Sequence, residues 1–224
     1  MRVPEALDAL RVECELVSEA VLSLPEDRFE LPTRCTEWNV KELLAHMHRD
    51  VEQVLVAVAE EAPGEPDADA VSYWTRYDPT VDASSIANRA TTRAASYRSG
   101  RDLAIVWDDL WRHVVDLAGR EPPLRIVVTW GPVTSLDEYV KTRALEITVH
   151  GMDLAAALGR DFWTTAEGAD VVTRILKGLL GQDPPDALGW DDLTLIDKGT
   201  GRAPLTEDER ETLGALAERF PLLG

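Results

Sequence analysis

The chain has 224 residues, 45% of them hydrophobic, and a formal net charge of −18. This length allows one domain with an appendage or two small domains, and the acidity argues against a nucleic-acid partner, since phosphate binding needs a basic stripe. No apolar run approaches the roughly 18 residues of a membrane span, and the amino terminus lacks a signal-peptide core, so we expect a cytoplasmic protein without a membrane partner.

Five segments have the apolar spacing of amphipathic helices. They cover 4–24, Thr36 or Trp38 to about Glu60, about 82–118, Ser135 to about Leu158, and 165–180. The third is either one long helix or two helices broken near Ser99-Gly100. The fourth begins with a predicted capping box, Ser135 to Glu138. The acidic, proline-containing stretch at 60–70 predicts a surface loop.

The sequence changes character after the fifth helix. Leu193–Asp197 predicts a short strand, and Lys198–Arg202 predicts a turn. A capping box at Thr206–Glu209 predicts a final helix to about Phe220. The predicted fold is therefore mainly α: a helical bundle over residues 1–160, followed by a small C-terminal α/β segment over 161–224.

Two cysteines are too few for a disulfide framework or a structural zinc knuckle. Cys14 falls in the apolar stripe of the first helix, which predicts a core position. Cys35 precedes a helix start, where the helix dipole can stabilise a thiolate. No histidine lies near Cys35 in sequence, so a small turn residue is the favoured interpretation.

Glu146 and His150 lie four residues apart on the fourth predicted helix, so their side chains share one face. This spacing is typical of two metal ligands donated by one helix of a bundle. It is also typical of a weak surface contact, and the pair alone favours that contact. The largely apolar helix around the pair raises the weight of the metal hypothesis. Asp153 is placed to accept the second ring N–H of His150.

A third ligand has to come from another helix, and the candidates are His46, His48 and His113. His46 shares a polar strip of the second helix with Asp50, where a ligand finds hydrogen-bonding neighbours. His48 lies about 160° around the helix from His46, so both cannot face one ion. His113 is more simply a partly buried histidine. Spacing alone favours His46 only slightly over His48.

Two stretches resemble a known family. PTRCTEWNVKELLAH, ending at His46, and TRALEITVHGMDLA, which follows Gly131-Pro132 and contains Glu146 and His150, are similar to motifs of mycothiol-dependent maleylpyruvate isomerases. At position 152 the family more often has Trp than the Met found here, which would alter the pocket wall. The resemblance covers about residues 5–160 and continues weakly at 199–205.

The resemblance implies a DinB-like four-helix bundle that holds one divalent ion, usually zinc, at the positions of His46, Glu146 and His150. Asp153 and Asp50 would then support these ligands from outside the coordination shell. Three protein ligands leave an open position, as a catalytic zinc site requires.

The resemblance also implies mycothiol or a similar thiol as cosubstrate, with Arg143 and Arg202 in substrate or thiol binding and no nucleophile from the protein itself. The expected reaction is cis–trans isomerisation of a maleylpyruvate-type unsaturated acid, or S-transfer of the thiol. The alternatives are a natural-product tailoring enzyme, a non-catalytic metal-binding stress protein and a structural protein without metal. The expected partners are small molecules, and the protein would be a monomer or a homodimer.

Overall fold

The computed structural model of the chain describes residues 5–59, 62, 64–76 and 79–223, and the side chains of all of these except 79–83. The helices are α1 (Glu5–Val21), α2 (Val40–Ala59), α3 (Ala70–Trp74), α4 (Pro79–Ser96), α5 (Gly100–Ala118), α6 (Leu136–Ala157), α7 (Ala166–Leu180), α8 (Asp192–Gly199) and α9 (Glu207–Leu213). The strands are β1 (Ile126–Val128) and β2 (Val133–Ser135). Pro4 and Glu60, predicted helix ends, lie outside the described residues.

Four long helices form the bundle. α1 packs on α5 and α6, and α2 packs on the same two helices from the other side. The stripe predicted for α1 is buried as expected: Leu7, Leu10, Cys14, Val17 and Val21. α4 lies against α2, and α7 lies against α1 and α6. The predicted mainly helical, DinB-like fold is confirmed.

Local capping fixes where the bundle helices begin. Asn39 and Glu42 exchange side-chain to backbone hydrogen bonds at 2.9 Å, so α2 starts at Val40 and not at Thr36 or Trp38. The helical pattern predicted for 82–118 is two helices. Ser99 caps α5 by accepting from the Asp102 N–H at 3.0 Å, and Gly100 faces the Phe29 ring so closely that a Cβ would overlap it.

A short hairpin, which the sequence did not reveal, leads into α6. β1 and β2 pair antiparallel, with Val127 opposite Thr134. Ser135 then caps α6 by accepting from the Glu138 N–H at 3.3 Å. The predicted capping box is only half formed, because the Glu138 carboxylate accepts from the Ala70 N–H at 2.8 Å instead. This hydrogen bond ties the start of α3 to the start of α6.

The strand predicted at Leu193–Asp197 is wrong: these residues lie in α8. Asp191 accepts from the Thr194 N–H at 2.8 Å and so starts a helix. Leu195 and Ile196 are both buried in the core, and α8 packs on α7. The turn predicted at Lys198–Arg202 begins later than expected, because Lys198 still belongs to α8.

The capping box at Thr206–Glu209 is confirmed and starts α9. α9 ends at Leu213, and the chain continues as a 3₁₀ helix over Gly214–Arg219, so the predicted α-helix to Phe220 is too long. No strand occurs among the described residues after 160.

The C-terminal segment shares the core of the bundle. Ile175, Leu176 and Ile196 belong to the same hydrophobic cluster as the bundle residues. The division at residue 160 therefore stays a prediction. No helix of the described residues is both long and apolar enough to cross a membrane.

Candidate metal centre

Three side chains from two bundle helices converge inside the protein. His46 comes from α2, and Glu146 and His150 come from α6. Glu146 Oε2 lies 3.6 Å from His46 Nε2 and 3.2 Å from His150 Nε2. The two histidine rings meet edge to face, with centroids 4.8 Å apart. The structure thus brings together the three residues predicted as ligands, with their ligand atoms all within 4.8 Å of one another.

The donor set suits a divalent ion. Imidazole nitrogen and carboxylate oxygen are the usual ligands of catalytic zinc. Both histidines are buried, whereas 18% of the Glu146 side chain is exposed, so the cluster sits near a path to solvent. Trp38 stacks on the His46 ring with a centroid distance of 4.6 Å and helps to fix its orientation.

Asp153 sets the tautomer of His150. The His150 Nδ1–H donates to Asp153 Oδ2 at 3.0 Å, so Nε2 is the nitrogen that faces Glu146 and is free to bind a metal ion once it has no proton. Asp153 is fully buried one turn after His150 on α6. This contact is the one that the spacing of the two residues predicts.

In the metal-free protein, the groups of the cluster shift one another's pKa toward the charged form. Burial alone would raise the pKa of Glu146, but hydrogen bonding and charge from His150 and His46 lower it well below its usual value. Burial would lower the pKa of His150, but Asp153, Cys35 and Glu146 raise it well above its usual value. A cation bound at His150 Nε2 would compete with a proton for that nitrogen.

Two arginines hold the Asp153 carboxylate. Arg34 Nε donates to Oδ1 at 2.9 Å, and Arg202 Nη2 donates to Oδ2 at 3.0 Å. Arg34 also donates to Asp197 of α8 at 2.7 Å. The structure places Arg202 next to the cluster, but with its guanidinium bound to Asp153. Its predicted role in substrate or thiol binding stays a prediction.

Cys35 lies beside the same carboxylate. Its Sγ donates to Asp153 Oδ2 at 3.3 Å and lies 3.8 Å from His150 Nδ1. The sequence shows no histidine near Cys35 because the contact joins residues more than a hundred positions apart. Cys35, His150 and Asp153 could form a second cation cluster, but hydrogen bonds and the two arginines already satisfy its carboxylate.

Arg143 and Asp50 lie on the other side of the cluster. Arg143 is buried between the rings of Tyr73 and Tyr139, at 5.7 and 5.1 Å from their centroids. Its Nη1 is 3.3 Å from Asp50 Oδ1. Asp50 Oδ2 is 3.1 Å from His46 Nε2. Because Arg143 is enclosed by protein, its predicted contact with substrate or thiol also stays a prediction.

The remaining histidines lie elsewhere. His48 is buried on another face of α2, where its Nδ1 accepts from Arg93 Nη1 at 2.7 Å. His113 is exposed on α5, so its predicted partly buried position is wrong. Cys14 is buried in the core, as predicted. His46 is thus the histidine that the fold directs toward Glu146 and His150.

The fold is a DinB-like helical bundle, and the cluster offers donor atoms that could hold a metal ion. A search against family models matches residues 10–155 to the mycothiol maleylpyruvate isomerase N-terminal domain. The match spans more than half of the chain, so the protein belongs to this family. Searches of curated proteins and of solved structures gave no significant match.

Proposed function

We propose that the protein is a divalent-metal-dependent enzyme that uses a low-molecular-weight thiol of the mycothiol type as cosubstrate. The observation that carries the proposal is the convergence of His46 Nε2, Glu146 Oε2 and His150 Nε2 inside the bundle. Three such donors leave room for a further ligand on zinc, as in catalytic sites. Family membership supports the thiol as that ligand.

A divalent ion in this place would lower the pKa of the thiol and so supply a thiolate at neutral pH. The protein's own side chains would hold the ion, and their neighbours orient them. Asp153 keeps the proton of His150 on Nδ1, and Trp38 packs against His46. We assign the reacting sulfur to the cosubstrate, because Cys14 is buried in the core and Cys35 Sγ donates to Asp153.

The reaction we favour is isomerisation. The thiolate adds to a conjugated carbon–carbon double bond of an unsaturated acid, which turns that bond into a single bond. Rotation about the single bond and elimination of the same thiol give the trans isomer and return the thiol unchanged. S-transfer is the variant in which the thiol stays attached to the electrophile.

Metal analysis tests the site. We expect the purified wild type to hold about one equivalent of a divalent ion. His46→Ala and His150→Ala should each lose most of it, because each removes one of three ligands. His48→Ala is the matched control, since it removes a buried histidine of the same helix and should keep the metal. Full metal occupancy in both ligand variants would falsify the site.

Turnover tests the chemistry. Metal-loaded protein should convert maleylpyruvate only when mycothiol is present, with the thiol recovered unchanged. Recovery of a thioether adduct would instead identify S-transfer. A metal-loaded protein that neither isomerises the acid nor consumes thiol with other electrophiles would favour the non-catalytic alternative.

A further inference from the structure

An open groove of about 870 Å³ is lined by residues of α2 and α4 and by Tyr97, which follows α4. None of the described residues that line it belongs to the candidate metal centre. Small-molecule sites in proteins have volumes of about 300–1,000 Å³. The groove is therefore large enough for a small ligand that does not use the metal donors.

The charge of the groove is opposite to that of the whole protein. Residues 84–96 of α4 contain two arginines and no acidic residue, although the chain has 41 acidic residues and a net charge of −18. Both of these arginines, Arg89 and Arg93, line the groove together with Arg49 of α2. Glu52 is the one carboxylate among the described lining residues, and it pairs with Arg93 at 2.6 Å. A concave surface with a positive net charge concentrates anions.

Arg49 is the arginine of the groove whose guanidinium has no hydrogen-bonding partner. The residue is half-buried, and its side chain makes no hydrogen bond or ion pair with any described residue. Every other arginine that the structure describes as buried or half-buried binds a carboxylate or a backbone carbonyl. A guanidinium offers five N–H donors in a planar fork that matches carboxylate and phosphate. Arg49 therefore has free donors for an oxyanion.

Small uncharged side chains of α4 complete the groove. Those that line it are Ser84, Ser85, Asn88, Thr92 and Ser96. Hydroxyl and amide groups of this kind can donate hydrogen bonds to an oxyanion. Ser85 already accepts from Arg89 Nη1. The α4 side of the groove thus offers both charged and neutral donors, and no carboxylate among its described side chains repels an anion.

We propose that the groove between α2 and α4 binds a small oxyanion, a molecule that carries phosphate or several carboxylates. Arg49 holds it from α2, and Arg89 and the hydroxyl groups hold it from α4. An anion bound in this way bridges the two helices and stabilises their packing. Because the site uses none of the metal donors, the proposal does not depend on the proposed function.

Calorimetric titration of the full-length protein at low ionic strength tests the proposal. Inorganic pyrophosphate and tricarballylate, titrated separately, distinguish phosphate from carboxylate, and we expect saturable binding of at least one of them. Arg49→Gln should weaken that binding by about 10- to 100-fold, because it removes charge-assisted hydrogen bonds. Arg101→Gln is the matched control, since Arg101 is an exposed arginine of α5 that does not line the groove. It should keep the wild-type affinity.

Two neighbouring threonines provide a second pair of variants. Thr92→Glu places a carboxylate in the groove and should weaken binding by repelling the anion. Thr91→Glu adds the same charge to the same helix at a position that does not line the groove, and should bind as the wild type does. Both threonines are exposed, so neither substitution should disturb folding.

Four results would overturn the proposal: no saturable binding of either anion by the wild type, wild-type affinity in Arg49→Gln, an equal loss in Arg101→Gln, or equal losses in the two threonine variants. His150→Ala should bind the anion as the wild type does. A loss of binding in that variant would assign the anion to the metal cluster and reject the groove. A wild type without metal would reject the proposed function and leave the groove unaffected.

Discussion

Asp153 is the residue on which the geometry of the metal centre depends most. Its two oxygens accept from Arg34, Arg202, Cys35 and the His150 ring. Charge-assisted hydrogen bonds are stronger than neutral ones, and a fully buried carboxylate needs them. Burial would raise the pKa of Asp153, but His150 and Arg202 hold it well below the usual value. The carboxylate therefore stays charged and keeps His150 in one tautomer.

Asp153→Asn should weaken zinc binding by about 10- to 100-fold, because His150 loses the acceptor that orients it. The metal-free protein should also lose about 3 kcal/mol in its free energy of unfolding, since two arginines lose a buried partner. Zinc competition titrations and urea denaturation in EDTA measure the two effects. Asp197→Asn, which removes only the outer partner of Arg34, should leave zinc affinity unchanged; similar losses in both variants would contradict the assigned role.

Spacing within one helix predicts residue contacts well in this site, and contacts between distant segments poorly. The i+3 and i+4 relations on α6 place Asp153 and Glu146 correctly around His150. Arg34 and Cys35 reach Asp153 across 119 and 118 positions, so no local pattern could reveal them. Only the resemblance draws attention to the turn that contains them, and it does not state what they touch.

At the scale of elements, two faces of α2 make different contacts. One presents His46 and Asp50 to α6, and the other buries His48 toward α4. There Arg93 Nη1 donates to His48 Nδ1, while Arg93 Nη2 donates to Glu52. Burial, and then the charge of Arg93, lower the pKa of His48 from 6.5 to about 4. The contact between α2 and α4 thus requires a neutral histidine.

This contact makes stability depend on pH. Between pH 6.5 and about 4 the unfolded chain binds a proton at His48 that the folded protein does not, so stability falls as pH is lowered, by up to about 3 kcal/mol. His48→Gln should remove this contribution, because glutamine accepts from Arg93 without titrating. Urea denaturation in EDTA at several pH values measures it. His113→Gln, an exposed control on α5, should keep the wild-type dependence; the same flattening in both variants would contradict the explanation.

Long amphipathic elements follow from the sequence, and short ones do not. α1, α2, α5 and α7 show a sustained apolar period, whereas α8 has only eight residues. Leu193-Thr194-Leu195-Ile196 matches strand and helix patterns equally well over so short a run. Packing of Leu195 and Ile196 in the core decides for the helix. The Asp191 cap was the local signal that favoured it.

For the whole molecule, one buried side chain links the bundle to the C-terminal segment. Glu13 of α1 is fully buried, and its Oε1 accepts from the Thr165 N–H and hydroxyl, each at 2.7 Å, and from the Thr164 hydroxyl at 2.9 Å. Thr165 in turn caps α7. The first helix therefore fixes where the C-terminal segment begins.

Glu13→Ala should lower the free energy of unfolding by about 2 kcal/mol, because three donors at the start of α7 lose their acceptor. Urea denaturation measures the loss, and earlier proteolysis near Thr165 should accompany it. Glu15→Ala on the same helix removes a half-buried carboxylate paired with Arg11 and should change stability by less than about 0.5 kcal/mol. Equal effects of the two substitutions would argue against the link.

The bundle architecture follows from the sequence because three amphipathic helices and one largely apolar helix of similar length have few ways to pack. The division at residue 160 is harder to predict. α7 and α8 bury their apolar faces in the same core as the bundle. Local sequence patterns cannot predict such packing, because the residues that these helices contact lie far away in the chain.

The two arginines that bind Asp153 are synthesised at very different times, because Arg34 lies near the start of the chain and Arg202 near its end. His46, Glu146, His150 and Arg34 all leave the ribosome before Arg202 does. The bundle can therefore assemble around its three metal-facing side chains while Arg34 alone steadies Asp153. Arg202 can contact the carboxylate only after the chain through α8 and beyond has been synthesised. A truncated nascent chain that ends before Arg202 would contain every candidate ligand. It would have only one of the two arginines that bind Asp153, the residue that orients His150.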